Sequence, residues 1–263
     1  MSVRDPESAS AQDAKRSESY PPGLYRSVHG ERSVDKAFYQ AVVRGADSVL
    51  ELGCGHGRIA EAMRAEGVAV SGVDLSPAAI EEAQRRVPDG HFVAADMRSF
   101  RLGERFDRIV CPYNGVYCLL ELADLRAMLR QVYEHLVPGG LFVFDGYAAD
   151  GFHAQEEDDA AESEESFVRR VKALGTDWDV YESSRWNRDA QRIDATYVHV
   201  PADGRDTEEA AIPQRYLLRG QLESLLSEAG LELLVVHGDF DQSVWDEEAP
   251  FLIVTAQRPH VEA

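Results

Sequence analysis

Apolar positions along this chain fall into two textures. Between 48 and 147 short apolar runs alternate with amphipathic stretches, whereas from 167 to 200 apolar and polar residues interleave. Val49, Leu50 and Leu52 form a brief run that ends in Gly53, Gly55 and Gly57, after which Ile59, Ala60, Ala62 and Met63 recur among charges. That succession predicts a buried strand, a tight glycine turn and the start of a helix. Runs at 68–73, 91–95, 106–111 and 141–144 predict four more strands. Between them a helix opens at Ser76-Pro77, with Ser as N-cap and Pro at its first position, and another spans 124–136 with Leu125, Met128, Leu129, Val132 and Leu136 on one face. Upstream, 33–43 reads as a short amphipathic helix, and 20–32 mixes turn residues with aromatics. Strand and helix in alternation define a doubly wound, mostly parallel α/β core.

After Asp145 the pattern changes. Residues 148–166 are acidic and small, suited to a helix or a loose lid. Segments 167–174, 178–186 and 192–200 are rich in Val, Tyr and Trp and are separated by turn residues, which predicts an antiparallel meander. A further strand is expected at 214–218, then a helix at 221–229 stopped by Gly230, and two closing strands at 231–237 and 251–256. The expected organisation is a disordered tail (1–20), a core (21–147), an acidic linker with a small antiparallel β insertion (148–218), and a final helix and strand pair completing the core (219–260).

Charge narrows the partners. A formal net charge of −20, from 47 acidic against 27 basic residues, argues against nucleic acid, which needs a basic footprint. The acids cluster at 156–165, 206–209 and 239–248, which fits either solvated loops or steering of a cationic acceptor. No apolar run approaches membrane-spanning length, and the first twenty residues have the composition of neither a signal nor a transit peptide. Cys54, Cys111 and Cys118 are odd in number and unpaired by spacing, as suits a reducing cytoplasm. Cys54, inside the glycine loop, reads as a small packed side chain rather than a nucleophile. The histidines are scattered, with no metal spacing.

The glycine loop selects the ligand class. Alternate glycines let the backbone bend and approach a ligand closely, and the amides opening the helix favour an anionic group. The dinucleotide fingerprint G-x-G-x-x-G is not met, because Arg58 stands at its sixth position, and no Lys follows to complete a phosphate-cradling G-x-x-x-x-G-K-[ST]. Instead Glu51 precedes the loop by two residues, and Asp74 ends the second strand, where an acid can accept ribose hydroxyls. ELGCGHG followed by GVDLS, with FDRIVC and the turn LVPGG further on, resembles the class I S-adenosylmethionine-dependent methyltransferases of the small-molecule type.

The resemblance implies a Rossmann-like methyltransferase fold with an antiparallel last strand. It implies S-adenosylmethionine bound by Glu51, Gly53, Gly55, Asp74, Leu75, Asp96, Met97 and Cys111, with Asp96 beside the adenine and Tyr25 reaching the methionine carboxylate. The alternative for Asp96, less favoured than the adenine role, is to cap the turn of Arg98, Ser99 and Phe100, whereas Tyr25 can equally pack on the following helix. Tyr113, Asn114 and Tyr117 are candidate linings of the acceptor site; no residues form a recognisable catalytic constellation, and no metal is expected. The implied function is N- or O-methylation of a small molecule by a monomer or homodimer. A non-catalytic S-adenosylmethionine-binding relative and a nicotinamide-dependent oxidoreductase are the alternatives. The meander, with Trp178, Tyr181, Trp186 and Tyr197, is expected either to roof the acceptor or to pack its own core or a dimer interface.

Overall fold

A computed structural model describes residues 20–30, 33–155 and 160–260. Apart from Tyr20, the expected disordered tail lies outside them. In chain order the elements are α1 (Pro22–His29), α2 (Val34–Val43), β1 (Ser48–Leu52), α3 (Arg58–Arg64), β2 (Ala69–Asp74), α4 (Pro77–Arg86), β3 (His91–Ala94), β4 (Phe106–Cys111), α5 (Leu122–His135), β5 (Leu136–Tyr147) and α6 (Asp150–His153). There follow β6 (Ala160–Glu162), β7 (Ser166–Ala173), β8 (Thr176–Asn187), β9 (Arg192–Pro201), β10 (Glu208–Arg215), α7 (Leu222–Glu228), β11 (Glu232–His237) and β12 (Phe251–Gln257). They make two compact units, residues 20–30 with 160–214 and residues 33–155 with 215–260.

The larger unit is a seven-stranded sheet in the order β11-β12-β5-β4-β1-β2-β3. β1 to β5 pair in parallel, and β12 runs antiparallel to both its neighbours. Two-sided burial explains the continuous apolar runs of β1, β4 and β5, since helices cover both faces of such a sheet. One core layer joins Phe38, Tyr39 and Val43 of α2 to Val49, Ile59, Met63, Val110, Val143 and Ile253. Ser76 caps α4 as expected, accepting from the Ala79 amide at 3.3 Å. The smaller unit is a five-stranded antiparallel sheet, β10-β9-β8-β6 with β7 also on β8, and α1 packs Leu24 and Val28 against Val171, Trp178 and Val180.

The structure departs from the sequence reading in four places. Pro21-Pro22-Gly23 opens a helix rather than a turn, because Pro fits the first helical turn, and α1 clusters with the meander and not with the core. Tyr20, assigned to the tail, is buried and its hydroxyl lies 3.0 Å from His199 Nε2. The return strand starts at Glu208 instead of 214, and as an edge strand it tolerates Pro213. Pro138-Gly139-Gly140 is an irregularity inside β5, with Gly139 left-handed at φ +82° and its amide donating to the Arg258 carbonyl at 2.7 Å.

Gly146, next to the last residue of β5, lies against the Tyr117 ring, and a Cβ there would overlap ring atoms. Overpacking of this kind costs about 1–3 kcal/mol. Gly146→Ala should therefore lower the urea midpoint at unchanged slope, and Gly220→Ala, where a Cβ meets open space, should have far less effect.

Candidate functional site

The glycine loop turns because three of its residues take backbone conformations that a side chain resists: φ is +66° at Gly53, +51° at Gly55 and +80° at Gly57. A Cβ at Gly55 would meet nothing within 4 Å, so this position faces open space. One at Gly57 would press to 3.1 Å on Ala83, which lets α3 and α4 approach closely. Cys54 fills the gap over Gly72, and burial pushes its thiol well up. It is a packing residue, as its small size suggested.

Two predicted acids meet at this loop. Asp74, half-buried, accepts from the amides of Gly55 at 2.8 Å and Ser76 at 2.9 Å. Burial raises its carboxyl, and the amides of Ser76, Gly55 and Leu75 oppose the rise. Glu51 is 3% exposed, and its Oε2 has no hydrogen-bond partner among the described residues. Burial pushes its carboxyl up to about 8 against the opposing pull of Arg58 and the Ala60 amide. Met97 reaches the loop as well, its Cε 3.6 Å from where a Gly53 Cβ would stand.

Arg58, which breaks the dinucleotide pattern, makes a bidentate pair with Asp35 of α2 at 2.8 and 2.6 Å. The two side chains are 9% and 0% exposed, and Arg58 Cζ lies 5.7 Å from the Tyr113 ring centre. Sequence reasoning missed this pair; an arginine where helix packing usually wants a glycine was the available signal.

The loop after β4 is built on Asp145, buried near the end of β5. Asp145 Oδ1 accepts from the Tyr39 hydroxyl at 2.6 Å and the Tyr113 amide at 3.0 Å, and its carbonyl accepts from the Asn114 amide at 3.1 Å. Asn114 Oδ1 accepts in turn from the Tyr147 amide at 3.0 Å. These bonds hold Tyr113 and Asn114 consecutively left-handed, each at φ +58°, at a cost of about 1–2 kcal/mol per residue. Tyr117 is fully buried and donates to the Tyr147 carbonyl at 3.0 Å, so packing occupies it. Cys111 is likewise fully buried.

Asp96 forms the cap that the sequence allowed. Its carboxylate takes the Arg98 amide at 2.8 Å and the Arg98 guanidinium at 2.6 Å, and its carbonyl takes the amides of Ser99 and Phe100. Leu75 is half-buried beside Asp74. Tyr25 belongs to the smaller unit, where its ring packs on Tyr20 and His29. Burial, with help from His199 and Arg169, lowers His29 to about 4. Trp178 is 2% exposed in that unit's core and donates to the Ala173 carbonyl at 3.0 Å, so it packs the meander and is not free to roof a ligand. A cavity of about 320 Å³ there, lined by Trp186, Arg185 and Arg192, has both arginines paired to acids, Glu162 and Asp194.

Comparison with known proteins agrees with this geometry. Residues 49–140 match the model of a family described as a methyltransferase domain. Over 143 residues the chain is 35% identical to the dTDP-4-amino-2,3,4,6-tetradeoxy-D-glucose N,N-dimethyltransferase of Saccharopolyspora spinosa, covering 50% of this chain and 57% of that one. The chain spans about half the length of the curated relatives it matches. Among solved structures it is similar to the CcbJ methyltransferase from Streptomyces caelestis, with a TM-score of 0.74 at 23% identity over 91% of this chain and 100% of that one. It is similar also to SAM-bound CalS10, an amino pentose methyltransferase from Micromonospora echinaspora, with a TM-score of 0.62 at 22% identity over 97% and 98% of the two chains. The fold is thus that of class I S-adenosylmethionine-dependent methyltransferases. Within that fold, residues 49–140 are the part similar to the methyltransferase-domain family.

Removing one member of a buried ion pair strands the other and costs about 3–5 kcal/mol. Asp35→Ala should lose stability on that scale in denaturant melts. The Asp35→Leu, Arg58→Met double variant should lose less than the sum of its single changes, whereas additive losses would show that the two side chains act independently.

Proposed function

We propose that this protein transfers a methyl group from S-adenosylmethionine to an amine of a small organic acceptor. The observation that carries the cofactor is the pairing of a left-handed glycine loop with two acids, Glu51 and Asp74, at the carboxyl ends of adjacent parallel strands. Ligands of open α/β sheets bind at that edge. The residues fit the group on two counts: Gly55 faces open space, and a buried Glu51 oxygen lacks a partner.

The cofactor, when bound, supplies an electrophilic methyl on a sulfonium. Asp74 retains lone pairs beyond those given to the Gly55, Leu75 and Ser76 amides, and these would accept the ribose hydroxyls. Gly53 and Gly55 let the backbone approach, and Leu75 and Met97 flank the adenosine. Asp96 stays a candidate for the adenine amine, through lone pairs that Arg98 leaves over. Tyr113 and Asn114, held by Asp145, line the acceptor side.

In-line transfer asks mainly for orientation at about 3 Å and exclusion of water. An amine that arrives deprotonated needs no fixed base, whereas a hydroxyl would want one within hydrogen-bond reach. The match to N,N-dimethyltransferases of nucleotide-linked amino sugars supports an amino sugar as the acceptor. Buried Arg58, committed to Asp35, counts against a nicotinamide cofactor, whose fingerprint places a glycine there. No described helix is long and apolar enough to cross a membrane. Three free thiols support a reducing cytoplasm as the compartment.

Calorimetry should show binding of S-adenosylmethionine and none of NAD, and radiolabelled methyl should pass to a nucleotide-linked amino sugar. Binding without transfer to any amine or hydroxyl acceptor would leave the non-catalytic alternative. Asp74→Ala should weaken the cofactor by about 1.5–3 kcal/mol for each ribose bond lost, tenfold or more in Kd. Unchanged affinity in a folded variant would contradict the assignment of Asp74.

A further inference from the structure

Around the glycine loop the core unit brings three carboxyl groups, Asp35, Glu51 and Asp74, within range of one another. Glu51 on β1 has Arg58 and the Ala60 amide facing it from α3, Asp35 from α2 and Asp74 from β2. The thiols of Cys54 and Cys111 also feel its charge, and burial keeps both protonated. Arg58, the cation that acts on Glu51 among the described residues, binds Asp35 through both of its terminal nitrogens. Asp74 has backbone amides as partners. Glu51 is left with a buried oxygen that no described group satisfies.

A carboxylate in that position is too costly to keep ionised alone, so it takes a proton instead. A positive group brought within about 4–6 Å restores the charged form. We infer that Glu51 is the specificity-determining group through which the site selects a cationic cofactor: it holds a proton in the free protein and gives it up to solvent as a positive group of S-adenosylmethionine comes against it. The inference rests on the cofactor proposed above and concerns how the site reads the cofactor's charge.

Its pH dependence has a fixed sign. Glu51, pushed up to about 8 in the free protein, falls in the complex, so affinity climbs with pH between those two values and levels off above the higher one. The rise cannot exceed about tenfold per pH unit for one proton. An α-amino group titrates near 8, so the measurement belongs at about pH 6.5, where the ligand's amine stays charged.

Titration calorimetry at that pH, in buffers of different ionisation enthalpy, counts the protons released. Close to one proton per S-adenosylmethionine is expected for the wild type, and close to none for Glu51→Gln. The wild type should release none on binding 5′-methylthioadenosine, which keeps the adenosine but carries neither the sulfonium nor the amine. Binding of S-adenosylmethionine with no proton released would overturn the role of Glu51 while leaving the cofactor intact. Equal release with the uncharged nucleoside would also overturn it, and this arm does not depend on the variant folding. Failure of S-adenosylmethionine to bind at all would instead remove the cofactor, and the inference with it.

Discussion

The ion pair between Asp35 and Arg58 is the constraint from which the site's geometry follows. It ties the helix before the first strand to the helix after the glycine loop, with neither side chain open to water. Because Arg58 is fixed there, the loop's end is fixed, and Tyr113 has a cation within reach of its ring. Because Arg58 is spent on Asp35, it exerts a pull on Glu51 without pairing with it. The cost of burying Glu51 is thus only partly offset by Arg58 and the Ala60 amide, and the remaining relief is left to a ligand.

A second anchor, Asp145, acts on the opposite side of β4. It fastens α2 through Tyr39 and holds the two left-handed residues of the 113–114 turn through one carboxylate oxygen and its own carbonyl. Both anchors involve α2, so this short helix is part of the site's framework. Strained backbone persists only where its surroundings over-determine it, and hydrogen bonds at both residues of this turn supply that. The turn follows β4 at the sheet edge where α/β folds bind ligands, which is why rigidity there bears on acceptor orientation.

Local pattern made the core legible. The apolar runs of β1, β2 and β4, the N-cap at Ser76 and the glycine stop at Gly230 all act within a few residues, and each formed where the spacing placed it. Glu51, Gly53, Gly55, Asp74 and Met97 came together for the same reason, since all sit on or beside consecutive β-α turns. Long-range chemistry was hidden. Asp35 meets Arg58 across 23 residues, and Tyr39 meets Asp145 across 106, with no spacing rule to announce either. Tyr117 and Trp178 looked available from sequence because aromatic residues serve packing and recognition alike; burial committed both to packing. β10 was misplaced because its acids at 208 and 209 resembled a loop, although an edge strand carries such charges readily.

Amide hydrogen exchange with and without S-adenosylmethionine tests most directly that these acids and glycines hold the cofactor. Slower exchange is expected at residues 53–58, 74–76 and 96–98, with no matching protection from NAD. Protection confined to other parts of the chain, or the same pattern with NAD, would contradict the account.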